Sequence, residues 1–198
     1  MFIAHRINTI KELENIPEKY GVEVDIRDYN GRIILSHDPL IDGESLEHYL
    51  KKYKHKFIIF NIKSERLEYE VLKLVKQHGI KNYLFLDSSF PMVYNLISIK
   101  EKNIALRFSE FEPIESVLKL AKKIKWVWVD CFKTMPLTPK SYIQLKDSAF
   151  KICIVSPELQ NQEKKIIEYK NYLLKNRLIP DMICTKSYNI EKWEGLCK

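Results

Sequence analysis

A chain of 198 residues, 45% of them hydrophobic, is long enough to bury a substantial core, and this composition excludes a disordered chain. No apolar run approaches the roughly 20 residues that a membrane-spanning helix needs. The net charge of +7 suits an anionic ligand, but the lysines are spread along the chain without a dense basic block. We therefore expect an ordinary lysine-rich surface and no nucleic-acid partner.

The beginning of the chain argues against a signal peptide. A strand-like run begins at Phe2, and His5 and Arg6 follow at once, which favours a cytoplasmic protein. The four cysteines, of which Cys197 is the last, show no CxxC spacing, so reduced core residues are favoured over disulfides or a zinc site. We expect one domain over residues 1–198 and no stable membrane insertion, and the oligomeric state is not indicated.

Apolar strand-like runs alternate with helical patterns along the chain. Strands are predicted at 2–5, 21–27, 57–63, 83–87, 104–108, 126–130, 151–155 and 182–185. Helices are predicted at 9–16, 45–53, 67–78, 92–100, 115–123, from 138 onward, and at 162–174. After the second strand, Asn30-Gly31 predicts a two-residue hairpin turn that leads back along 32–36.

Eight strands that alternate with helices predict a compact (β/α)₈ TIM barrel of the α/β class with short loops. The strands are mostly continuous apolar runs, which is typical of parallel strands buried on both faces. An open, doubly wound sheet is the alternative. No glycine-rich GxGxxG loop supports that alternative.

The second predicted strand carries two acidic residues. Glu23 and Asp25 alternate with apolar residues, so their side chains point the same way, about 7 Å apart along the strand. Two like charges this close repel each other unless a cation or water separates them. Paired carboxylates suit Mg²⁺ or Ca²⁺. A solvated edge strand is the alternative, but the strands predicted on both sides favour a cation site.

Polar residues gather at the ends of the predicted strands, where a barrel places its active site. These residues are His5, Arg6, Glu23, Asp25, His37, Asn61, Lys63, Asp87, Arg107, Asp130 and Lys186. Two histidines can pass protons near neutral pH, and cations can stabilise the charge on phosphate oxygens. The set indicates attack on a phosphate ester, with Arg107, Asp130 and Lys186 as candidate substrate contacts.

The order of these residues resembles the glycerophosphodiester phosphodiesterase family. The matching segments are Ala4-His5-Arg6, Glu23-x-Asp25, Asn30-Gly31, His37-Asp38-Pro39, Leu86-Asp87-Ser88-Ser89-Phe90 and Ile183-Cys184-Thr185. The most specific part of the resemblance covers residues 4–39. The resemblance implies a TIM-barrel hydrolase that uses a divalent cation, Mg²⁺ or Ca²⁺, to cleave a small-molecule or lipid-derived phosphodiester.

The resemblance also implies a role for each residue of the site. His5 and His37 would be the general acid and base, and Arg6 and Lys63 would hold the phosphate. Glu23 and Asp25 would bind the metal, with Asn61 at the position of the family's third carboxylate. These roles follow from the resemblance rather than from spacing alone.

Three departures from the family pattern affect the expected site. Ile7 stands where the family has glycine after the His-Arg pair. Asn61 brings an amide oxygen without charge, so the metal site would be weaker unless Glu65 leans in. The family's usual insertion after His37-Asp38 is missing, so the mouth should be more open.

Two other functions remain open at this point. A non-catalytic phosphate- or phosphodiester-binding barrel would follow if Asn61 marks a lost metal site. A phospholipase D-like lipid phosphodiesterase would follow if apolar rim residues face lipid, although packing under helices is favoured for them. These rim residues are Phe90, Met92, Phe108 and Phe111. Trp126 and Trp128 share a strand face and are expected to fill the barrel.

Overall fold

The computed structural model describes residues 1–196 of the protein. Its strands are β1 Phe2–Ala4, β2 Gly21–Tyr29, β3 Arg32–Leu35, β4 Glu44–Ser45, β5 Phe57–Ile62, β6 Tyr83–Leu86, β7 Ala105–Phe108, β8 Trp126–Val129, β9 Lys151–Val155 and β10 Met182–Thr185. Its α-helices are α1 Ile10–Glu14, α2 Leu46–Lys52, α3 Glu68–Gln77, α4 Phe90–Ser98, α5 Ile114–Leu118, α6 Pro139–Asp147, α7 Ile166–Lys175 and α8 Ile190–Trp193. Short 3₁₀ turns occupy Pro157–Gln160, Glu163–Lys165 and Ser187–Asn189.

Eight parallel strands form one curled sheet. β1 pairs with β2 and β10, β2 continues to β5 and β6, and β10 continues through β9 and β8 to β7. An isolated bridge between Phe85 and Ile104, rather than a ladder, joins β6 to β7. The predicted α/β class is confirmed, and the fully closed barrel stays a prediction at this junction. We call the C-terminal edge of the parallel strands the mouth and their N-terminal edge the base.

The predicted elements are found with shifted ends. α5 is shorter than predicted, because residues 119–123 tighten into 3₁₀-type bonds such as Leu120 N–H to Val117 O. The predicted helix 162–174 begins with a 3₁₀ turn and becomes α-helical at Ile166. The tail helix packs as expected, since Trp193 is buried and its indole N–H donates to Ser156 Oγ at 2.7 Å. No helix within residues 1–196 has the length and apolar character to cross a bilayer.

Two apolar layers result from the period of two along each strand. Ile58, Phe60 and Ile62 of β5 belong to the larger layer of buried residues, which packs the sheet against the helices. Phe57 and Ile59 point to the opposite face and form the interior layer with Trp126, Trp128 and other residues. This interior row of β5 continues to Asn61 at the mouth. The same alternation places Glu23 and Asp25 of β2 on the interior face, so strand geometry directs the polar residues towards one point.

The interior is filled at the base, which confines any cavity to the mouth. Phe57 and Trp126 meet edge to face with ring centroids 5.4 Å apart. Beside them, a Cβ on Gly21 would lie 2.4 Å from Ile3 Cδ1 and 2.9 Å from the backbone oxygen of Phe57, so a side chain here would force a strand to shift. Burial of a side chain such as that of Phe57 stabilises the folded state by about 1.5–3 kcal/mol. Cys131, Cys153 and Cys184 are also buried, and Cys197 lies outside the described residues.

The hairpin after β2 returns the chain to the mouth. Asn30 and Gly31 both have positive φ, at 48° and 75°, as a two-residue turn of this type requires. The predicted turn is therefore confirmed, and β3 runs antiparallel to β2. The Arg27 guanidinium then holds the returning chain, because its Nε and Nη2 donate to His37 O at 3.1 and 2.9 Å.

Candidate active site

A cavity of about 190 Å³ opens at the mouth of the sheet. Its walls are formed by His5, Arg6, Asp25, His37, Asn61, Lys63, Arg107, Trp128, Asp130, Val155, Leu159 and Gln160. Eight of the eleven polar residues predicted at the strand ends therefore line this cavity, and the other three are Glu23, Asp87 and Lys186. Glu23 lies directly behind this wall, fully buried and bonded to two of its members. Lys186 is half-buried and does not line the cavity.

Glu23 is held by one backbone and one side-chain donor. Arg6 N–H donates to its Oε2 at 2.7 Å, and Asn61 Nδ2 donates to its Oε1 at 2.8 Å. Arg6 has φ of 55°, a strained conformation for a residue with a side chain, which places its N–H against this carboxylate. Burial raises the pKa of Glu23 despite these hydrogen bonds.

Asp25 is fixed by a reciprocal pair of bonds with Asn8. Asn8 Nδ2 donates to Asp25 Oδ2 at 2.9 Å, and Asp25 N–H donates to Asn8 Oδ1 at 2.9 Å. Lys63 Nζ lies 3.7 Å from Asp25 Oδ1, and Arg6 Nε lies 3.6 Å from its Oδ2. Burial, followed by the charge of Glu23, nevertheless raises the pKa of Asp25. The two carboxylates thus sit in a region that disfavours their negative charge.

The donor set fits a hard divalent cation. Asn61 Oδ1 is buried and has no hydrogen-bond partner within the described residues, while the Nδ2 of the same amide is bound to Glu23. An amide oxygen beside two carboxylates is the type of oxygen set that Mg²⁺ or Ca²⁺ prefers. Among residues 1–196, no group of three or more His, Cys, Asp and Glu side chains is arranged to hold a metal ion.

His5 lies against the carboxylate pair. Its Nε2 is 3.7 Å from Glu23 Oε2, and its Nδ1 is buried without a partner among the described residues. Burial, followed by the positive charges of Lys186 and Arg6, lowers the pKa of His5 from 6.5 to about 3. The imidazole is therefore neutral at neutral pH. Lys186 acts on the site through this charge, although it does not line the cavity.

His37 lies on the returning chain and is more exposed than His5. Its Nδ1 is 2.8 Å from Asp38 Oδ1. Because an ionised carboxylate only accepts hydrogen bonds, Nδ1 carries a proton and Nε2 is left for a ligand. The hydrogen bond from His37 lowers the pKa of Asp38.

A chain of alternating charges lines the other side of the cavity. Lys63 Nζ is 3.4 Å from Asp87 Oδ2, and Arg107 binds both oxygens of Asp87 at 2.7 and 2.8 Å. Arg107 Nη1 also donates to Asp130. Burial opposes ionisation of Asp87, but the hydrogen bonds from Arg107 outweigh it and lower its pKa. Arg107 thus enters the site already paired with two carboxylates.

Sequence reasoning missed three residues of the site and misplaced one. No role was predicted for Asn8, which exchanges hydrogen bonds with Asp25, and nothing in the sequence indicated Gln160, which donates to Asp130 Oδ1 at 2.9 Å. Trp128 was expected only to fill the barrel, but it also lines the cavity. Glu65 does not lean in, because its Oε1 accepts a hydrogen bond from Ser89 at 2.7 Å.

Comparison with solved structures identifies the same fold in proteins of low sequence identity. A glycerophosphoryl diester phosphodiesterase from Parabacteroides distasonis superposes with a TM-score of 0.69 at 12% identity, over 100% of this chain and 87% of its own. A glycerophosphodiester phosphodiesterase from Agrobacterium tumefaciens gives 0.63 at 12% identity, over 97% and 98%. A second Agrobacterium tumefaciens structure, described as a glycerophosphoryl diester phosphodiesterase, gives 0.66 at 13% identity, over 93% and 92%. No protein-family model and no curated protein sequence matches the chain. The chain therefore has the fold of these phosphodiesterases.

Proposed function

We propose that residues 1–198 form a single phosphodiester hydrolase domain of the glycerophosphodiester phosphodiesterase type, located in the cytoplasm. The observation that carries the proposal is the gathering of two histidines, two buried carboxylates and an unpartnered amide oxygen around one cavity. The cavity is small and polar, which suits a phosphodiester group rather than a large apolar ligand. The proposal treats the curled sheet as a (β/α)₈ barrel with one weak junction.

The two histidines supply the proton transfers. One imidazole takes a proton from water as the water oxygen bonds to phosphorus. The other imidazole donates a proton to the alcohol oxygen as its bond to phosphorus breaks. His37 is suited to present Nε2, since its Nδ1 is engaged by Asp38. A neighbouring hydroxyl of the substrate can replace water, in which case the product is a cyclic phosphate.

The remaining residues hold the cation and the phosphate. Glu23, Asp25 and Asn61 would hold Mg²⁺ or Ca²⁺, which when bound supplies positive charge to the phosphate oxygens. Lys63 and Arg6 reach the same region from two sides. Arg107 and Lys186 are assigned to substrate more weakly, because Arg107 is paired with two aspartates and Lys186 is outside the cavity wall.

Hydrolysis of bis(p-nitrophenyl) phosphate by the purified protein tests this function. We expect turnover with Mg²⁺, Ca²⁺ or Mn²⁺, none with EDTA, and a loss of about a hundredfold or more in His5→Ala. His48→Ala is the matched control, because His48 is exposed on α2 and does not line the cavity. Equal turnover by His5→Ala, His37→Ala and the wild type would contradict the proposed roles.

A non-catalytic phosphodiester-binding barrel is the second candidate. It is favoured by the fact that protein donors already bind Glu23 and Asp25, while no group of three or more His, Cys, Asp and Glu side chains in residues 1–196 is arranged to hold a metal ion. Calorimetry with a non-hydrolysed phosphodiester separates the two functions. Tight binding that persists in EDTA, without turnover under any metal, would replace the enzyme with the binding module.

A lipid-derived substrate remains within the proposal. Of the four rim residues, Met92 and Phe108 are buried as expected. Phe90, the first residue of α4, and Phe111, in the loop that follows β7, are instead exposed, at 61% and 67%. Turnover of a lysophospholipid compared with its deacylated headgroup ester would decide whether these two rings contact an acyl chain.

A further inference from the structure

The fold separates the charge of the chain between its two ends. Loops at the mouth carry seven cationic side chains and nine carboxylates. Four successive loops at the base, 53–56, 78–82, 99–104 and 119–125, carry nine lysines and one carboxylate. The lysines are Lys54, Lys56, Lys81, Lys100, Lys102, Lys119, Lys122, Lys123 and Lys125, all exposed. The excess positive charge therefore lies at the end away from the candidate active site.

These lysines form a continuous band, which we call the lysine crescent. The four loops precede β5, β6, β7 and β8, which are consecutive neighbours in the sheet. Adjacent loops also touch directly, as Lys125 N–H donates to Lys102 O at 2.8 Å. The spacing that looked dispersed in the sequence becomes a patch because parallel strands bring every helix-to-strand loop to one edge.

None of the nine crescent lysines forms an ion pair with a carboxylate of residues 1–196. The one acidic residue among them, Glu101, is engaged by Tyr83 Oη and Asn103 N–H, both at 2.6 Å. At the mouth, by contrast, Lys63 and Arg107 are paired with aspartates. The crescent therefore presents uncompensated positive charge to its surroundings.

A groove of about 310 Å³ lies between the first two loops of the crescent. Lys54, Lys56 and Lys81 line it, together with Tyr53 and His55. Tyr53 Oη and His55 Nδ1 are both buried there and have no hydrogen-bond partner within the described residues. His55 is more than nine-tenths buried, and its Nε2 is 2.8 Å from Ile16 O, so Nε2 is its donor and Nδ1 is free. The free Nδ1 of His55 can only accept a hydrogen bond, so the groups of this groove that suit an anion are the three lysines and the Tyr53 hydroxyl, which can donate.

We propose that the lysine crescent docks the protein on an anionic phospholipid surface, and that the groove receives a headgroup phosphate. Clustered lysines near a surface are attracted to anionic lipid through the summed charge and need no defined ligand geometry. The crescent contains no arginine and no exposed aromatic ring, the side chains that grip and stack nucleic acids. Docking by the base leaves the mouth open to solution. The inference does not depend on the proposed hydrolase activity.

Co-sedimentation of the full chain with vesicles tests the proposal. Vesicles of phosphatidylcholine alone are compared with vesicles that also contain phosphatidylglycerol. The test variant is Lys54→Glu/Lys102→Glu/Lys122→Glu, and the control is Lys11→Glu/Lys140→Glu/Lys164→Glu, which has the same net charge but is changed at exposed positions near the mouth ends of helices. A triple Lys→Gln variant at the crescent positions, with melting curves for all proteins, excludes misfolding as the cause of lost binding.

The expected result is binding that requires phosphatidylglycerol and disappears at roughly 1 M salt, where the Debye length is about 3 Å. The crescent variant should bind at least about a hundredfold more weakly, since each lysine near the surface contributes roughly fivefold. No binding to phosphatidylglycerol vesicles, or equal losses in both triple variants, would overturn the proposal. So would tighter binding of duplex DNA than of vesicles, or release of the protein from vesicles by Phe90→Ser/Phe111→Ser alone, which would indicate docking by the mouth.

Discussion

Replacement of Glu23 by Gln is expected to stabilise the metal-free protein and to abolish the proposed hydrolase activity. The Glu23 side chain is fully buried, and burial raises its pKa even though Asn61 and Arg6 donate hydrogen bonds to it. At neutral pH the fold therefore holds a carboxylate whose charge is disfavoured. A Gln side chain keeps the length, accepts the Arg6 N–H through Oε1, and donates to Asn61 Oδ1 once that amide rotates. After this rotation Asn61 Oδ1 has a donor, and Asn61 Nδ2 takes the position in which Oδ1 lacked a partner.

The size of the effect follows from opposing terms. Removal of a carboxylate from water costs several kcal/mol, and its attraction to Lys63 and Arg6 with two hydrogen bonds offsets part of that cost. We expect a net gain of about 2 kcal/mol, within the range found when buried charges become neutral groups of similar volume. For a chain of this length, such a gain raises the melting temperature by roughly 4–8 °C.

The pH dependence gives the sign of the effect. Since the folded pKa of Glu23 is raised above its ordinary value of 4.5, the side chain is protonated in both states below that value and the variant then gains nothing. The gain grows as pH rises above 4.5, where the unfolded chain ionises first, and it is complete once pH exceeds the raised folded pKa. Melting curves in EDTA, at neutral pH and below 4.5, measure it, with Glu14→Gln on the exposed face of α1 as the control. A variant that melts below the wild type in EDTA at neutral pH would refute the reasoning, because the hydrogen bonds of the carboxylate would then outweigh its burial.

Three further perturbations probe the cation site, the interior and the charge chain. Asn61→Asp supplies a third carboxylate, so calorimetry should show affinity for Mg²⁺ or Ca²⁺ increased at least about tenfold, and unchanged affinity would exclude position 61 as a ligand. Gly21→Ala should lower the free energy of unfolding in urea by about 1–3 kcal/mol, because the added Cβ would lie 2.4 Å from Ile3 Cδ1 and 2.9 Å from Phe57 O. An unchanged free energy of unfolding would show that the neighbouring atoms shift to make room. The pKa of Asp87 is lowered by Arg107 against the opposing effect of burial, so its stabilising contribution is present above its ordinary value of 3.8 and is lost as pH falls below it. In Asp87→Asn, the free energy of unfolding should therefore depend less on pH below 3.8. An unchanged pH dependence in that range would contradict the pairing of Asp87 with Arg107.

Strand periodicity is the reason that much of the site could be predicted. A strand exposes alternate residues on one face, and parallel strands end at the same edge, so the positions of His5, Asp25, Asn61 and Lys63 follow from the sequence once the strands are identified. The turn at 30–31 has its own local chemistry, and His37 could therefore be brought back to the same edge. These inferences need only local rules and the direction of the strands.

Contacts between distant loops could not be predicted in this way. The reciprocal bonds of Asn8 with Asp25 depend on where a short loop lies over β2, and the pairing of Arg107 depends on the order of β6, β7 and β8. Trp128 has the same local pattern whether it fills the base or reaches the cavity. The lysine crescent is invisible in the sequence, because its members are separated by strands and meet only at the base.

The junction of β6 and β7 has one backbone bridge, at Phe85 and Ile104, where the other parallel neighbours have ladders. At the mouth end of this junction, Asp87 follows β6 and Arg107 lies on β7, and their two hydrogen bonds span the gap. The side chains of Asp87 and Arg107 therefore connect β6 and β7, which the backbone joins by only one bridge. Opening of the sheet is easiest here, and its frequency depends on the ionisation of Asp87. Amide hydrogen exchange at Phe85 and its neighbours should accordingly be faster than in the strands that are joined by continuous ladders. In acid, where Asp87 is protonated, their exchange rate should exceed the rate expected from the pH dependence of base-catalysed exchange alone. A ligand anion that draws Lys63 away from Asp87 would act on the same junction of β6 and β7. Binding of an anion at Lys63 and opening of the sheet between β6 and β7 would then be coupled through the carboxylate of Asp87.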